Sequence, residues 1–276
     1  MSTPHATFTF PKGSCDAHCH VMGPASKFPY PADAKYIPAD SPKEALVAVH
    51  QKFGIDRMVI VHPGAHGTDH AVTLDAIADD PISRRGVGIV NKTFTPADIQ
   101  ALHDGGFRGA RFSFLKHLGG GPDDETFRYV IDLIKPFGWH LVLHVTGDDL
   151  LAQHARFAAL DLPIVIDHMG RVDATLGPDQ PAMKVLLQLA AQPNCWIKLS
   201  GGSRIAPPPF DLAIPIAQAI LEVAPDRVLW GTDFPHPNPK YHATEEELVA
   251  LIPQYAPQPA LQRALLVDNP AKLYGF

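Results

Sequence analysis

The chain has 276 residues, 46% of them apolar, and a formal net charge of −6. That length suits one domain with a large core, and the mild acidity argues against a broad basic face for nucleic acid or anionic lipid, though not against a local basic pocket. Three cysteines (Cys15, Cys19 and Cys195) cannot build a disulfide framework, residues 1–12 lack a signal-peptide pattern, and no apolar run approaches the ~20 residues of a membrane span, so a cytoplasmic protein with no membrane partner is expected.

Apolar, β-branched runs alternate with amphipathic segments of helical period. The first strand ends at His20, and a long loop over 23–40 follows it, expected at the rim of a site or as a lid. Then come helix 42–53, strand 57–62, helix 69–78, strand 85–90, helix 96–104, strand 107–112, helix 126–137, strand 139–145 and helix 149–160. Strand 163–168, helix 181–191, strand 195–200, a proline-rich loop over 201–209, helix 212–223, strand 227–233 and helix 245–255 complete the series. Strands separated by helices imply parallel pairing with both faces covered, which suits continuous apolar runs such as 58–61 and 164–166. Eight such units of about 30 residues predict an α/β fold, a (β/α)8 barrel in a single domain over 1–276, rather than an open sheet. The glycines at 119–121 lie in a loop and lack the spacing of a phosphate fingerprint.

Catalytic groups of such barrels sit at the C-terminal ends of the strands. There this sequence places His18 and His20, then His144, Asp167-His168 and Asp233. A strand has a period of two, so His18 and His20 point the same way. Imidazoles and a carboxylate at one mouth are donors for a divalent metal such as zinc, and His18, His20, His144 and Asp233 form one complete mononuclear set. Each residue also has a plainer reading: His144 as a hydrogen-bonded core residue, and Asp233 and His168 as caps of the following turns. Their joint placement at four strand ends favours function. His66 is expected at the rim or behind the site, with His62 and His70 structural. His5, His50, His103, His140, His154 and His242 are expected at the surface, and His236 is expected to orient the last loop.

A cationic set accompanies them. Arg111 ends the fourth strand, Lys116 and His117 follow it, Arg171 lies three residues past His168, and Arg204 lies in the loop after the seventh strand. Guanidinium forks match carboxylates, so a ring of arginines on the catalytic face of an acidic chain points to a small polyanionic substrate. For Arg204, pairing with a local acid is an equal alternative.

The stretches Asp16-Ala17-His18-Cys19-His20, Asp167-His168-Met169-Gly170-Arg171, Gly231-Thr232-Asp233-Phe234-Pro235-His236-Pro237 and Asn269-Pro270, with Phe28-Pro29, Lys35-Tyr36, His66-Gly67-Thr68-Asp69 and Gly109-Ala110-Arg111-Phe112, resemble the amidohydrolase superfamily. More narrowly, they resemble its lactonases of the 2-pyrone-4,6-dicarboxylate type. The likeness runs in order along almost the whole chain. It implies a barrel hydrolase that opens cyclic esters of carboxylated acids in aromatic catabolism. In that reading Asp233 activates water, and His18, His20 and His168 polarise the carbonyl. Arg111, Arg171 and Arg204 hold carboxylates, with Tyr36 assisting and His66 and His117 nearby. Two positions depart from that pattern: His117 stands where those enzymes carry arginine, and His144 where they carry tyrosine. His144 restores the metal-type set, so both a zinc-dependent and a metal-free site are open, with a muconolactone bearing a carboxylate or sulfonate as a possible substrate. A metal-dependent decarboxylase or hydratase of an unsaturated or aromatic acid, and a non-catalytic carboxylate-binding barrel, stand as alternatives. The oligomeric state is left open.

Overall fold

The structure, a computed structural model, describes residues 8–276, so His5 lies outside the described residues. The strands β1 (Cys15–Cys19), β2 (Arg57–Val61), β3 (Arg84–Gly88), β4 (Phe107–Ser113), β5 (His140–His144), β6 (Ile164–Ile166), β7 (Cys195–Lys198) and β8 (Val228–Leu229) form one parallel sheet in that order. Beyond the ladder its edges meet. The Ala17 N–H donates to the Trp230 carbonyl at 2.8 Å and the Asp233 N–H to the His18 carbonyl at 2.7 Å, which closes the barrel between β8 and β1.

Around it run α1 (Lys43–Phe53), α2 (Ala71–Ala78), α3 (Pro96–Asp104), α4 (Asp124–Ile134), α5 (Gly147–Ala158), α6 (Pro181–Ala190), α7 (Gly202–Ile205), α8 (Ala213–Val223), α9 (Glu245–Ala250), α10 (Ile252–Tyr255), α11 (Pro259–Arg263) and α12 (Asn269–Tyr274). Reciprocal capping boxes start three of them, Thr95 with Asp98, Thr146 with Asp149 and Thr244 with Glu247. The expected helix over 245–255 is two pieces, because Pro253 lies in the first turn of α10, where its missing N–H costs nothing. The expected loop over 201–209 contains the short helix α7. No described helix is long and apolar enough to cross a membrane.

Two apolar layers result. The larger lies between helices and strands. The smaller fills the barrel, with Val59, Val61, Val87, Val142, Val165, Trp196 and Leu229 from successive strands, and Tyr274 of α12 plugging it from below. Inward positions therefore alternate along each strand, and continuing the parity upward from Val142, Val165 and Trp196 reaches His144, Asp167 and Lys198. In β1 the alternation is interrupted. Asp16 pairs with Met58 and Cys19 with Ile60, so three steps of β1 face two of β2. This bulge lets Ala17 join the interior while Cys19 packs with Met58 and Ile60 outside, and His18 and His20 reach the mouth.

Two histidines expected at the surface are buried. His50, 3% exposed, faces inward from α1 and binds Asp16 at 3.0 Å. His140, 1% exposed, is the lower inward position of β5, where it packs edge-on to Tyr274. A polar residue in an amphipathic segment reads as exposed unless its buried partner is known.

Candidate active site at the barrel mouth

Asp16 organises the β1–β8 corner from behind. Its Oδ1 accepts the N–H groups of His18 at 3.0 Å and Thr232 at 3.1 Å, and its Oδ2 accepts from the Thr232 hydroxyl and faces His50 Nε2. The two chains touch closely there: a Cβ on Gly231 would lie 2.5 Å from the His18 nitrogen. Past β8 the backbone turns into the left-handed region at Asp233 (φ 61°), and past β6 it does so at His168 (φ 50°). Few residues other than glycine adopt this conformation, and it concentrates at functional sites. Here it aims both side chains across the mouth instead of capping helices.

Asp233 Oδ1 is the point of convergence. It lies 3.5 Å from His20 Nε2, 3.7 Å from His18 Nε2 and 3.8 Å from His168 Nε2. Each imidazole is oriented by its other nitrogen, His20 by the Val61 carbonyl at 2.7 Å and His168 by the Ser200 hydroxyl at 2.9 Å. Asp233 Oδ2 takes the Arg204 Nε–H, and the rest of that guanidinium donates to the Pro237 and Asn238 carbonyls. Burial acts to raise the Asp233 pKa, but Arg204 and the imidazoles outweigh it and hold the carboxyl well below the usual range. It is a carboxylate at neutral pH. Burial, the largest influence, pulls His18 down to about 3 and His168 well below its ordinary value, so both are neutral.

One layer lower lies a buried ionic group of Lys198, Asp167 and Arg111. Lys198 Nζ is 3.1 Å from His18 Nδ1 and 3.2 Å from Asp167 Oδ1, and Arg111 Nε binds Asp167 Oδ2 at 2.8 Å. Burial favours the neutral acid of Asp167, but Lys198, His18 and Arg111 overcome it and hold the pKa well below normal. Lys198 did not emerge from the motif reading. Its signal was present in Trp196-Ile197-Lys198, where a lysine shares the inward parity of a tryptophan in an otherwise apolar strand.

The cavity above has a volume of about 390 Å³. His20, His144, His168, Asp233, Arg111, Arg171 and Arg204 line its floor, and Tyr36, Lys35 and His117 its rim. The 23–40 loop supplies the Tyr36 side, as expected of a rim. His66 does not line the cavity. Its Nε2 accepts the Gly23 N–H at 3.3 Å and its ring packs on Tyr30, so it holds the base of that loop. His62 binds the Thr73 hydroxyl at 2.9 Å and His70 the Ile89 N–H at 3.1 Å, while His236 binds Glu245 at 3.1 Å. Cys15 and Cys19 are fully buried thiols, pushed well above their ordinary pKa chiefly by burial, and have no nucleophilic character.

The three arginines differ. Arg111 and Arg204 are paired with Asp167 and Asp233. Arg171 has no carboxylate partner among the described residues; burial first, and then repulsion from Arg204, lower its pKa to about 10, which still leaves it cationic.

The donor atoms of His18, His168 and Asp233 all lie within 4.8 Å of one another. His18 Nε2 and Asp233 Oδ1 are buried with no hydrogen-bond partner among the described residues, so the set suits a zinc-type ion in its spacing and donor types. His144, expected in such a set, stands apart from that group. Its Nδ1 meets the Ser113 hydroxyl at 3.3 Å and its ring centre is 5.8 Å from that of His168.

The amidohydrolase family model matches residues 15–276, and the chain belongs to that family. It is 39% identical to the 4-sulfomuconolactone hydrolase of Rhizobium radiobacter over 98% of this chain and 92% of that one. It is 38% identical to the 2-pyrone-4,6-dicarboxylate hydrolase of Comamonas testosteroni over 97% and 92%. Among solved structures, a probable 2-pyrone-4,6-dicarboxylic acid hydrolase of Acinetobacter baumannii with citric acid bound superposes with a TM-score of 0.82 at 26% identity, covering 96% of this chain and all (100%) of that one.

Proposed function

We propose that this protein hydrolyses a lactone bearing an anionic group, a carboxylate or sulfonate, by attack of water on the ring carbonyl. The observation that carries the reading is a convergence at one cavity: a carboxylate whose free oxygen faces three imidazoles, two of them in the cavity lining, beside a guanidinium without an acid partner among the described residues. The names of the relatives support the bond type, and the citric acid bound to the Acinetobacter baumannii protein supports the polyanion.

In this reading Asp233 takes a proton from water through Oδ1, while Arg204 fixes Oδ2 and with it the direction of attack. His18, His20 and His168 border the place where the carbonyl oxygen gains charge, and donors set in advance stabilise that charge without reorganising. The leaving oxygen of an enol ester is a good leaving group, so the ring opens without a dedicated strong acid. Arg171 holds the substrate anion, assisted from the rim by Tyr36, Lys35 and His117, with Arg111 beneath. A divalent ion held by His18, His168 and Asp233 would supply Lewis-acid polarisation of the carbonyl.

Purified protein offered a panel of carboxylated and sulfonated lactones and pyrones should open at least one of them, and Asp233→Asn should lower kcat about 1000-fold or more. Full activity in that variant would remove Asp233 as the base. Release of carbon dioxide from an unsaturated acid, with no lactone opened, would replace the reading. Metal content and chelation run in parallel decide whether an ion takes part.

A further inference from the structure

Lys198 is fully buried inside the barrel, and the steps described above make no use of it. Its ammonium can donate and cannot accept. The nearby His18 Nδ1 and Asp167 Oδ1 are 3.3 Å apart, which leaves two ways to bond the three groups. Either Lys198 donates to a bare Nδ1, or His18 carries its proton on Nδ1 and gives it to Asp167.

The geometry separates the two. The Lys198–His18 contact at 3.1 Å meets hydrogen-bond geometry, whereas the His18–Asp167 approach at 3.3 Å is an ion-pair distance only; Lys198, 3.2 Å from Asp167 Oδ1, has N–H groups enough for both. With Nδ1 bare, the proton of neutral His18 sits on Nε2, which faces Asp233 Oδ1 at 3.7 Å. His20 is set the other way. Its Nδ1 meets the Val61 carbonyl, which only accepts, so Nδ1 carries a proton.

We propose that Lys198 is a positioning residue: by donating to Nδ1 it fixes the metal-free His18 as an Nε2–H donor toward the lactone carbonyl oxygen. The kinetic part rests on the lactonase reading; the tautomer does not.

The test uses the full-length protein, as purified and labelled with nitrogen-15, in long-range proton–nitrogen correlation spectra at neutral pH. His18 is assigned by the signals lost in His18→Gln. In the wild type His18 is expected as the Nε2–H form. In Lys198→Met the proton is expected to move to Nδ1, facing Asp167. With the best lactone, Lys198→Met should lower kcat about 30- to 100-fold while KM stays within about threefold, the pattern of a lost transition-state donor. A wild-type His18 found as Nδ1–H, or ligated through Nε2, overturns the proposal whether or not any variant folds. So does an unchanged tautomer in folded Lys198→Met. The spectra need no substrate, so they stand even if every lactone is refused, an outcome that would count against the functional reading alone.

Discussion

Replacing Arg171 by methionine separates binding from stability. The change keeps an apolar stem of similar length and removes a guanidinium that has no acid partner among the described residues, while Arg111 and Arg204 each have one. Losing a charge-assisted contact to a substrate anion in a partly desolvated pocket costs about 2–4 kcal/mol, or about 30- to 1000-fold in kcat/KM. Stability should not follow. No carboxylate loses a paired cation, and the repulsion that Arg171 feels from Arg204 and Arg111 is offset by attraction to Asp233 and Asp167, so the melting temperature should stay level. Steady-state ring opening followed by absorbance, with a thermal melt on the same preparation, reads both. A variant that keeps kcat/KM within threefold, or melts several degrees lower, would refute the idea that Arg171 is held in reserve for the substrate.

Arg204→Met should behave in the opposite sense. It leaves the buried Asp233 without its nearest cation, which costs about 3–5 kcal/mol of stability. It also removes the strongest influence lowering the Asp233 pKa, so the acid limb of kcat/KM should move to higher pH, and an unmoved limb would mean that Asp233 is not the titrating base. Gly231→Ala should cost about 1–3 kcal/mol in denaturant melts and lower activity, because the new Cβ meets the His18 backbone at 2.5 Å; a neutral result would deny the close β1–β8 contact. Acid should weaken the fold early. Burial, the first cause in each, pulls His18 and His140 down to about 3 and His70 to about 4. An unfolded imidazole titrates near 6.5, so from about pH 6.5 down to about pH 4 the unfolded chain binds protons that the folded chain refuses. Stability is then full above that window and falls as pH drops through it, by up to about 1.4 kcal/mol per pH unit for each histidine. Equal urea midpoints at pH 7 and pH 5.5 would show that these rings are not held neutral.

The positions that sequence reading located best are those fixed by the period of a strand and by the rule that barrel chemistry gathers at the strand ends. His20, His168, Asp233 and Arg171 all line the cavity for that reason, with His18 buried directly behind Asp233. It was less successful where a partner distant in sequence decides the role. His66 binds Gly23 and serves the loop, His50 is buried against Asp16, and Arg204 lies 29 positions from the Asp233 it neutralises.

The sequence by itself determined the alternation of strands and helices, hence the parallel sheet, and it determined which strand ends bear imidazole, carboxylate and guanidinium. Only the tertiary structure decided how these groups share their charges. The bulge in β1 sends Asp16 toward α1 and the two histidines toward the mouth, and the inward parity of β7 places Lys198 under His18. Patterning is a local property of the chain, but a hydrogen bond needs two atoms within about 3 Å, and in a closed barrel those atoms come from opposite ends of the sequence.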